Sequence, residues 1–430
     1  MIIAPKNHIP AHVMAYSFFD NMTAWFFALF LLAGYYKSDP RLSFIQTNVD
    51  ITLLFLGLSV LIFLYRGIKN SFALQFTRCT IWVAVQFILL VACLAIGLIY
   101  THSIDYGFDK VMRFIFLTGW AFFGAILLIT NFLSLRRFCW AIMTISTIMA
   151  IDSLLAYPGS GEIGFVTALG SNQIALARAS GLGLLTIFAF LLPTERNIWI
   201  RLCLWLAAAL QLWSMLTAGS RGPVFAFIVS TVLFMMLSVH GFPHIKLDRF
   251  AVKSSLIMFF AAIIVGLMSH ELFATLILRI QLLFAGSDPS AAERFNFYIV
   301  AFNLLASSPL WGIGTGQFGM EITGEDTRLY PHNIILELGA ENGLLGILFF
   351  ITMVFLSIRE GLIQLYNRRN SASIVSRYLL VACSFALLNA MVSGDINDNR
   401  ILFLFLGLLS TIQHLSSRGE KSNILKVAHT

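Results

Sequence analysis

Long apolar runs, separated by short polar segments, follow one another from end to end of the chain. Each run is close to the roughly 20 residues that an α-helix needs to cross a bilayer. Polar and apolar residues do not alternate as they would in the strands of a membrane barrel. The pattern predicts an all-α polytopic membrane protein with about twelve transmembrane helices. They are expected near residues 14–36, 48–65, 80–101, 110–130, 137–157, 172–192, 197–217, 222–239, 251–268, 332–357, 374–393 and 400–416.

One polar segment interrupts this pattern between the ninth and tenth predicted spans. It predicts a helical insertion with an amphipathic helix from Leu272 to Phe284 and a second helix from Ala291 to Ser307, capped by Ser290. Charge and irregular backbone are tolerated in a membrane protein only where water or protein covers them, so we expect the chemistry here. The predicted divisions are residues 1–268 (spans 1–9), 269–331 (the insertion), 332–416 (spans 10–12) and 417–430 (a tail).

Composition narrows the class of protein further. Hydrophobic residues make up 58% of the chain and charged residues 11%, whereas about a quarter of a soluble domain is charged. The net charge of +7 resides in short loops between spans, which indicates membrane topology rather than nucleic-acid binding. The first apolar run is long enough to remain as a span, so no cleavable signal is expected. No set of Cys, His and carboxylate residues has a metal-ligand spacing, and we expect neither a metal nor a cofactor.

The distribution of cations predicts the orientation. Of the 28 Lys and Arg residues, 18 fall on one predicted side and 10 on the other. The positive-inside rule then places both termini in the cytoplasm and the insertion outside. Several outer cations surround the insertion, and an anionic ligand at the outer leaflet would explain them. They are Arg178, Arg221, Arg279, Arg294, Arg328 and Arg400.

Arg221 lies in a tight loop, from Thr217 to Pro223, between two predicted spans. In one interpretation, the loop glycines and the following helix N-terminus expose backbone N–H groups, and the guanidinium adds a fork for a phosphate. In the other, Arg221 reaches toward lipid headgroups at the membrane boundary. The local sequence favours neither interpretation.

His332 follows Pro331 at the start of a predicted span. A neutral imidazole there could accept a proton from an attacking hydroxyl. The simpler interpretation is a capping or interfacial histidine. Glu337 and Glu341 follow at helical spacing, with glycines beyond, and this polar face inside a membrane helix weakens the simpler interpretation.

Other polar groups have two interpretations each. Arg294 could bind a second phosphate or form a local ion pair with Asp288 or Glu293. The segment 393–400 could hydrogen-bond a glycan or be an ordinary turn. Arg178, near the outer end of a span, could line the same cavity or face headgroups. The glycine-rich turn 311–316 lacks the strand that precedes a phosphate-binding loop, and Asp20 and Asn21 have no explanation.

Several motifs resemble the O-antigen ligase/polymerase superfamily of bacterial envelope enzymes. The sequence His332-Asn333, nine residues, then Gly343-Leu344-Leu345-Gly346 resembles the family signature. Ser220-Arg221-Gly222 before a span resembles the segment with its first functional arginine, and Arg294 is similar in placement to its second. The resemblance is specific in the second half of the chain and rests on hydropathy in the first half.

The resemblance implies a GT-C-like fold and a metal-independent, inverting glycosyltransferase in the bacterial inner membrane. Such an enzyme moves a glycan from undecaprenyl pyrophosphate onto a sugar hydroxyl at the periplasmic face. The acceptor is lipid A–core for an O-antigen ligase. The catalytic residues implied are His332, Arg221 and Arg294. Further side chains expected to bind substrate are Ser220, Asn333, Glu337, Arg328, Arg400, Asp395 and Arg178.

Three alternatives remain. An O-antigen or exopolysaccharide polymerase would use the same donor with another lipid-linked repeat unit as acceptor. A polysaccharide transporter would carry ionisable groups near mid-membrane and paired broken helices, whereas the charged groups here cluster at one face. A structural scaffold leaves the outer arginines unexplained. The partners to consider are the lipid-linked donor, the glycan acceptor, the bilayer and a chain-length regulator, with no nucleic acid.

Overall fold

The computed structural model describes residues 11–46, 49–70, 76–156, 165–240, 246–247, 274–367 and 371–415. Helices dominate these residues. The only strands in the described part are β1 (Val239–His240) and β2 (Lys246–Leu247), which form a two-stranded antiparallel pair. The described part of the chain is therefore almost entirely helical, as the apolar pattern predicts for a membrane protein.

The helices occupy the chain in the following order. In the first half they are α1 (Ala11–Leu32), α2 (Ser43–Gln46), α3 (Ile51–Asn70), α4 (Arg78–Gly97), α5 (Ile104–Arg113), α6 (Gly119–Leu128), α7 (Phe132–Leu155), α8 (Gln173–Thr186), α9 (Leu192–Thr194), α10 (Ile198–Thr217) and α11 (Arg221–Leu237). In the second half they are α12 (Ala274–Phe284), α13 (Pro289–Ser307), α14 (Phe318–Thr323), α15 (Ile334–Asn367), α16 (Ser371–Ala390) and α17 (Arg400–Ser410). Short π-helical turns at Phe114–Thr118 and Ile187–Leu191 make α5–α6 and α8–α9 continuous.

Eight helical segments in the described part are long and apolar enough to cross a membrane. Three shorter apolar helices accompany them, at Asn21–Tyr35, Arg221–Leu237 and Arg400–Ser410. Every predicted span except one overlaps one of these segments. The exception, near 251–268, lies outside the described residues, so the count of about twelve spans stays a prediction.

The core of the bundle is built around α8, which packs against α7, α10, α11 and α16. Every residue from Ala175 to Thr186 is buried. A second centre, rich in phenylalanine, joins the first half to α17. The Phe87 ring stacks on Phe122 at 4.7 Å and meets Phe403 edge-on at 6.0 Å, which are favourable aromatic geometries.

Helix α15 is broken at Gly343, where φ is 65° and ψ is −161°. The Trp311–Gly316 turn fills the break. The Ile313 N–H donates to the Ala340 carbonyl at 2.9 Å, and the Leu344 N–H donates to the Pro309 carbonyl at 2.7 Å. Backbone groups freed inside a membrane helix must find such partners. The break separates a half-helix, residues 334–342, from the longer remainder of α15.

The glycines of the 311–316 turn allow it to approach α15 closely. A Cβ atom on Gly312 would lie 2.3 Å from the backbone carbon of Glu341. Gly312, Gly314 and Gly316 all have positive φ, which other residues adopt at a cost. The turn therefore has a structural role in joining the segment before it to α15.

The predicted insertion contains α12, α13 and α14. Its second helix begins two residues before the predicted start, and its cap differs from the prediction. The side chain of Asp288 accepts the Ala291 N–H at 3.0 Å, and Pro289 occupies the first helical position. Because proline has no N–H to satisfy there, helix formation starts at Pro289. The predicted Ser290 cap is therefore wrong, and Asp288 is the cap.

Candidate active site

Arg221 is the first residue of α11 and is anchored to the predicted insertion. Its side chain pairs with Asp288, and its Nη1 donates to the Arg279 carbonyl at 2.9 Å. The side chain is 17% exposed. Gly219, with φ 68°, turns the chain just before it. Asp288 thus both caps α13 and orients the guanidinium of Arg221.

Arg279 and Arg294 lie in the electrostatic field of Arg221. Burial and the nearby charge of Arg221 lower the pKa of both guanidinium groups. The Arg279 guanidinium lies over the Phe165 ring, 4.4 Å from its centroid. Among the described residues, no carboxylate lies within ion-pair distance of Arg294. Asp288 pairs with Arg221, and the exposed Glu293 acts on Arg294 without pairing with it. Three arginines therefore have two carboxylates nearby, which leaves a surplus of positive charge.

His332 has an unusual backbone and an unusual environment. Its φ is 58°, a left-handed conformation that costs energy in a residue other than glycine. Its Nδ1 atom is buried and has no hydrogen-bond partner among the described residues. Its ring meets the Tyr330 ring edge-on at 4.7 Å.

The electrostatics keep this imidazole neutral. Burial, followed by the positive charges of Arg294 and Arg178, lowers the pKa of His332 from 6.5 to about 4, and Asp395 opposes the shift. The charge of Arg221 therefore acts on Arg294, and the charge of Arg294 acts on His332. The three residues predicted to be catalytic belong to one electrostatic environment, although they come from α11, α13 and the segment before α15.

Asn333 is the cap of α15. Its Oδ1 accepts the N–H groups of Ile335 at 3.0 Å and Leu336 at 3.1 Å, and its Nδ2 donates to the Met391 carbonyl at 3.1 Å. These bonds fix the position of His332 relative to the next loop. The structure thus gives Asn333 a positioning role, and its expected contact with substrate stays a prediction.

The loop 391–399 collects several predicted site residues. Arg178, buried in α8, donates to the Ser393 carbonyl at 2.8 Å and to the Asn389 carbonyl at 2.9 Å. A Cβ atom on Gly222 would lie 3.1 Å from Val392, so the start of α11 also reaches this loop. The loop therefore lies between the Arg221 segment and the start of α15.

Arg328, Asp395 and Asp398 form an ion-pair group at the edge of the same loop. Arg328 Nη2 lies 2.9 Å from Asp395 Oδ2 and 2.8 Å from Asp398 Oδ2. The carboxylates raise the pKa of the guanidinium, and Arg328 and Lys110 hold the pKa of Asp395 below its usual range despite burial. These groups are already paired with one another, with one guanidinium shared by two carboxylates, so their predicted roles in substrate binding stay predictions.

Arg400 contacts the first helix of the chain. It begins α17, and its guanidinium lies 5.8 Å from the centroid of the Phe30 ring in α1. Its Nη1 is buried without a partner among the described residues. Ser220 is buried at the cap position of α11, where its side chain makes no capping bond. Contact of either residue with substrate stays a prediction.

Glu337 has a partner that sequence reasoning missed. Lys110 of α5 lies 2.6 Å from Glu337 and 2.6 Å from Glu341. The sequence places Lys110 at the start of a predicted span, where it contributes only to the topology prediction. A signal was available, because two glutamates four residues apart inside a membrane helix require a buried cation.

The fold and this site define a multi-pass helical membrane protein with an arginine-rich polar centre where several helices begin. Residues 206–351 match the family model described as O-Antigen ligase. The expected resemblance to the O-antigen ligase/polymerase superfamily is thereby confirmed, and it supports an enzyme of this glycosyltransferase-like class. The match includes Arg221, Arg294, His332 and Gly343. No curated protein matches the chain.

Proposed function

We propose that this protein transfers a glycan from undecaprenyl pyrophosphate to a sugar hydroxyl, and that it is an O-antigen ligase acting on lipid A–core. The observation that carries the proposal is the grouping of Arg221, Arg279 and Arg294, three guanidinium groups with two carboxylates nearby. The charge of Arg294 also acts on a neutral His332. Such a surplus of guanidinium groups suits a diphosphate.

The arginines would bind the donor and stabilise the leaving group. As the bond to the anomeric carbon breaks, negative charge grows on the pyrophosphate, and fixed guanidinium groups stabilise that charge without a metal ion. Asp288 holds Arg221 in advance, so little reorganisation is needed when the donor arrives. Direct attack by the acceptor hydroxyl would invert the configuration at the anomeric carbon.

His332 would orient the acceptor and accept its proton. Its pKa of about 4 leaves the imidazole neutral and able to accept a hydrogen bond at neutral pH. A bound diphosphate would offset the charge of Arg294 and raise that pKa, which makes the imidazole a stronger base in the donor complex. The acceptor would thus be activated only when the donor is in place.

The proposed setting is the bacterial inner membrane, with both termini in the cytoplasm and the site at the periplasmic face. In this arrangement residues 269–331 form a periplasmic insertion between the spans 1–268 and 332–416. Support comes from the excess of Lys and Arg in the loops on the other side, and from the site residues, which lie at helix N-termini and connecting segments.

The test is a transfer assay with the purified protein in nanodiscs. The lipid-linked glycan is supplied first alone and then with lipid A–core. A product that requires lipid A–core supports a ligase, whereas chain growth without it identifies a polymerase. No product, but glycan flux in vesicles, would identify a transporter and overturn the proposal.

Matched arginine variants give the assay its control. Arg221→Ala and Arg294→Ala are each expected to slow transfer by about 10²-fold or more, because a charge-stabilising donor is lost. Arg136→Ala removes an arginine that pairs with Glu195 at 2.7 Å, apart from the site, and should leave the rate unchanged. Near-normal transfer by Arg221→Ala would remove Arg221 from its proposed role.

A further inference from the structure

A buried ion triad connects the first half of the chain to the half-helix 334–342. The Lys110 ammonium lies 2.6 Å from Glu337 Oε1 and 2.6 Å from Glu341 Oε2, and all three side chains are 1% exposed. Separating a buried cation from its carboxylates is strongly unfavourable, since it leaves charges without compensation. The ammonium therefore fixes both glutamates on one face of the half-helix.

Besides Lys110, each glutamate binds a backbone N–H group of a neighbouring segment. Glu337 Oε1 accepts the Ile396 N–H at 3.3 Å, so it also holds the loop 391–399. Glu341 Oε2 accepts the Gly316 N–H at 2.9 Å, so it also holds the turn that fills the helix break. The triad thus fixes the half-helix and both segments that flank it.

Lys110 is presented from a helix that is itself held at two points. Asp326, before α15, accepts a hydrogen bond from Ser103 Oγ at 2.5 Å and one from the Asp105 N–H at 2.9 Å. The Lys110 carbonyl accepts the Asn397 side-chain amide at 3.0 Å. These bonds fix α5, and with it the ammonium, against the segment before the half-helix and against the loop 391–399.

We infer that Lys110 is a positioning residue for the proposed transfer reaction. Through Glu337 and Glu341 it sets the orientation of the half-helix, and thereby the position of His332, which directly precedes the cap Asn333. The inference rests on the proposed function. Because Arg221 is held at the start of α11 by its pairing with Asp288, apart from the triad, loss of Lys110 lowers turnover more than donor affinity.

The test compares three variants in nanodiscs. Lys110→Met removes the cation from two buried carboxyl groups and can fail to fold, so a triple variant, Lys110→Met with Glu337→Gln and Glu341→Gln, replaces all three ionisable side chains by neutral ones. Lys37→Met is the control, since Lys37 pairs with Asp50 at 3.3 Å while 45% exposed. The measurements are kcat, the donor KM, and hydrogen exchange of residues 330–342, 391–399 and, for reference, 198–217.

In the triple variant we expect kcat to fall by about 10²-fold, because a small misplacement of a reacting group has such an effect. The donor KM should change by less than about 3-fold. Hydrogen exchange should be faster than in the wild-type protein in residues 330–342 and 391–399 but not in 198–217. A triple variant with wild-type kcat and wild-type exchange in 330–342 would overturn the inference. If the wild-type protein forms no glycan product, the proposed function fails, and the exchange data alone decide whether Lys110 positions the half-helix.

Discussion

His332 shows how a single residue can combine strain with chemistry. Its left-handed backbone costs energy, and the bonds that maintain it come from the neighbouring Asn333, which caps α15 and binds the Met391 carbonyl. Its Nδ1 has no partner among the described residues. A strained residue whose buried ring nitrogen has no hydrogen-bond partner is typical of a functional site, which is why we propose that His332 binds the acceptor.

The low pKa of His332 predicts an unusual pH profile. In the free enzyme the imidazole stays neutral until the pH approaches its pKa of about 4, so kcat/KM should be flat between about pH 5 and 8. In the pH profile of kcat, the acid limb should lie at higher pH, because the bound diphosphate raises the pKa of His332. The pH dependence of initial transfer rates measures both limbs.

A control separates His332 from other groups that titrate in this range. His332→Gln should lose most activity at every pH, whereas His102→Gln alters an exposed histidine and should leave the profile unchanged. If the acid limb of the kcat/KM profile lies instead at the pH expected for an ordinary histidine, the environment assigned to His332 is contradicted.

At the residue scale, the sequence indicates which residues are candidates for the site more reliably than it indicates which residues they contact. The spacing around His332, Asn333 and Gly343 is visible in the chain. The pairing of Arg221 with Asp288 and of Glu337 with Lys110 is not, because those partners are 67 and 227 positions apart along the chain. Only the packing of helices brings them together. The cap at Asp288 is not predicted from the sequence, because Ser290 also fits the pattern of a capping residue.

At the scale of elements, the break in α15 is the feature on which the site geometry depends. Apolar periodicity predicts one continuous span from 332 to 357, since a glycine within a hydrophobic run does not by itself indicate a helix break. The half-helix ends before Gly343, and at Gly343 the Leu310 backbone occupies the space that a side chain would need. A Cβ atom at Gly343 would lie 2.4 Å from the Leu310 carbonyl carbon. Glycine at this position therefore has a steric reason.

Replacing Gly343 with alanine is expected to be disruptive. The variant adopts a positive φ at a cost of about 1–3 kcal/mol and in addition clashes with the Leu310 backbone, so the 311–316 turn must move. We expect a lower thermal midpoint in detergent and a loss of transfer. Gly324→Ala is the matched control, since Gly324 has φ 75° with nothing within 4 Å of its Cβ position. Equal effects of the two substitutions would show that the close packing is unimportant.

At the scale of the whole molecule, the two halves of the chain form one unit around the site. Helix α4 packs along α15, Thr80 Oγ1 donates to the Ser410 carbonyl at 2.9 Å, and Tyr100 donates to the Trp311 carbonyl at 2.6 Å. Hydropathy alone predicts the spans of the first half but assigns them no role. The structure supplies one, because these helices buttress the segments that carry His332 and the 311–316 turn.

Asp326 offers a direct test of this coupling. It caps α5 from the segment before α15, accepting the N–H groups of Asp105 and Tyr106 and the Ser103 hydroxyl. Removal of a capping carboxylate with several bonds costs about 1–2 kcal/mol. Asp326→Ala should therefore lower the thermal midpoint of the whole protein, while Glu325→Ala, at an exposed neighbouring position, should not.

Hydrogen exchange of the same variant tests whether the two halves are coupled. If the halves were independent, Asp326→Ala would speed exchange only in the α5 region. Because α5 also carries Lys110, we expect faster exchange to extend to residues 330–342, on the other side of the ion triad.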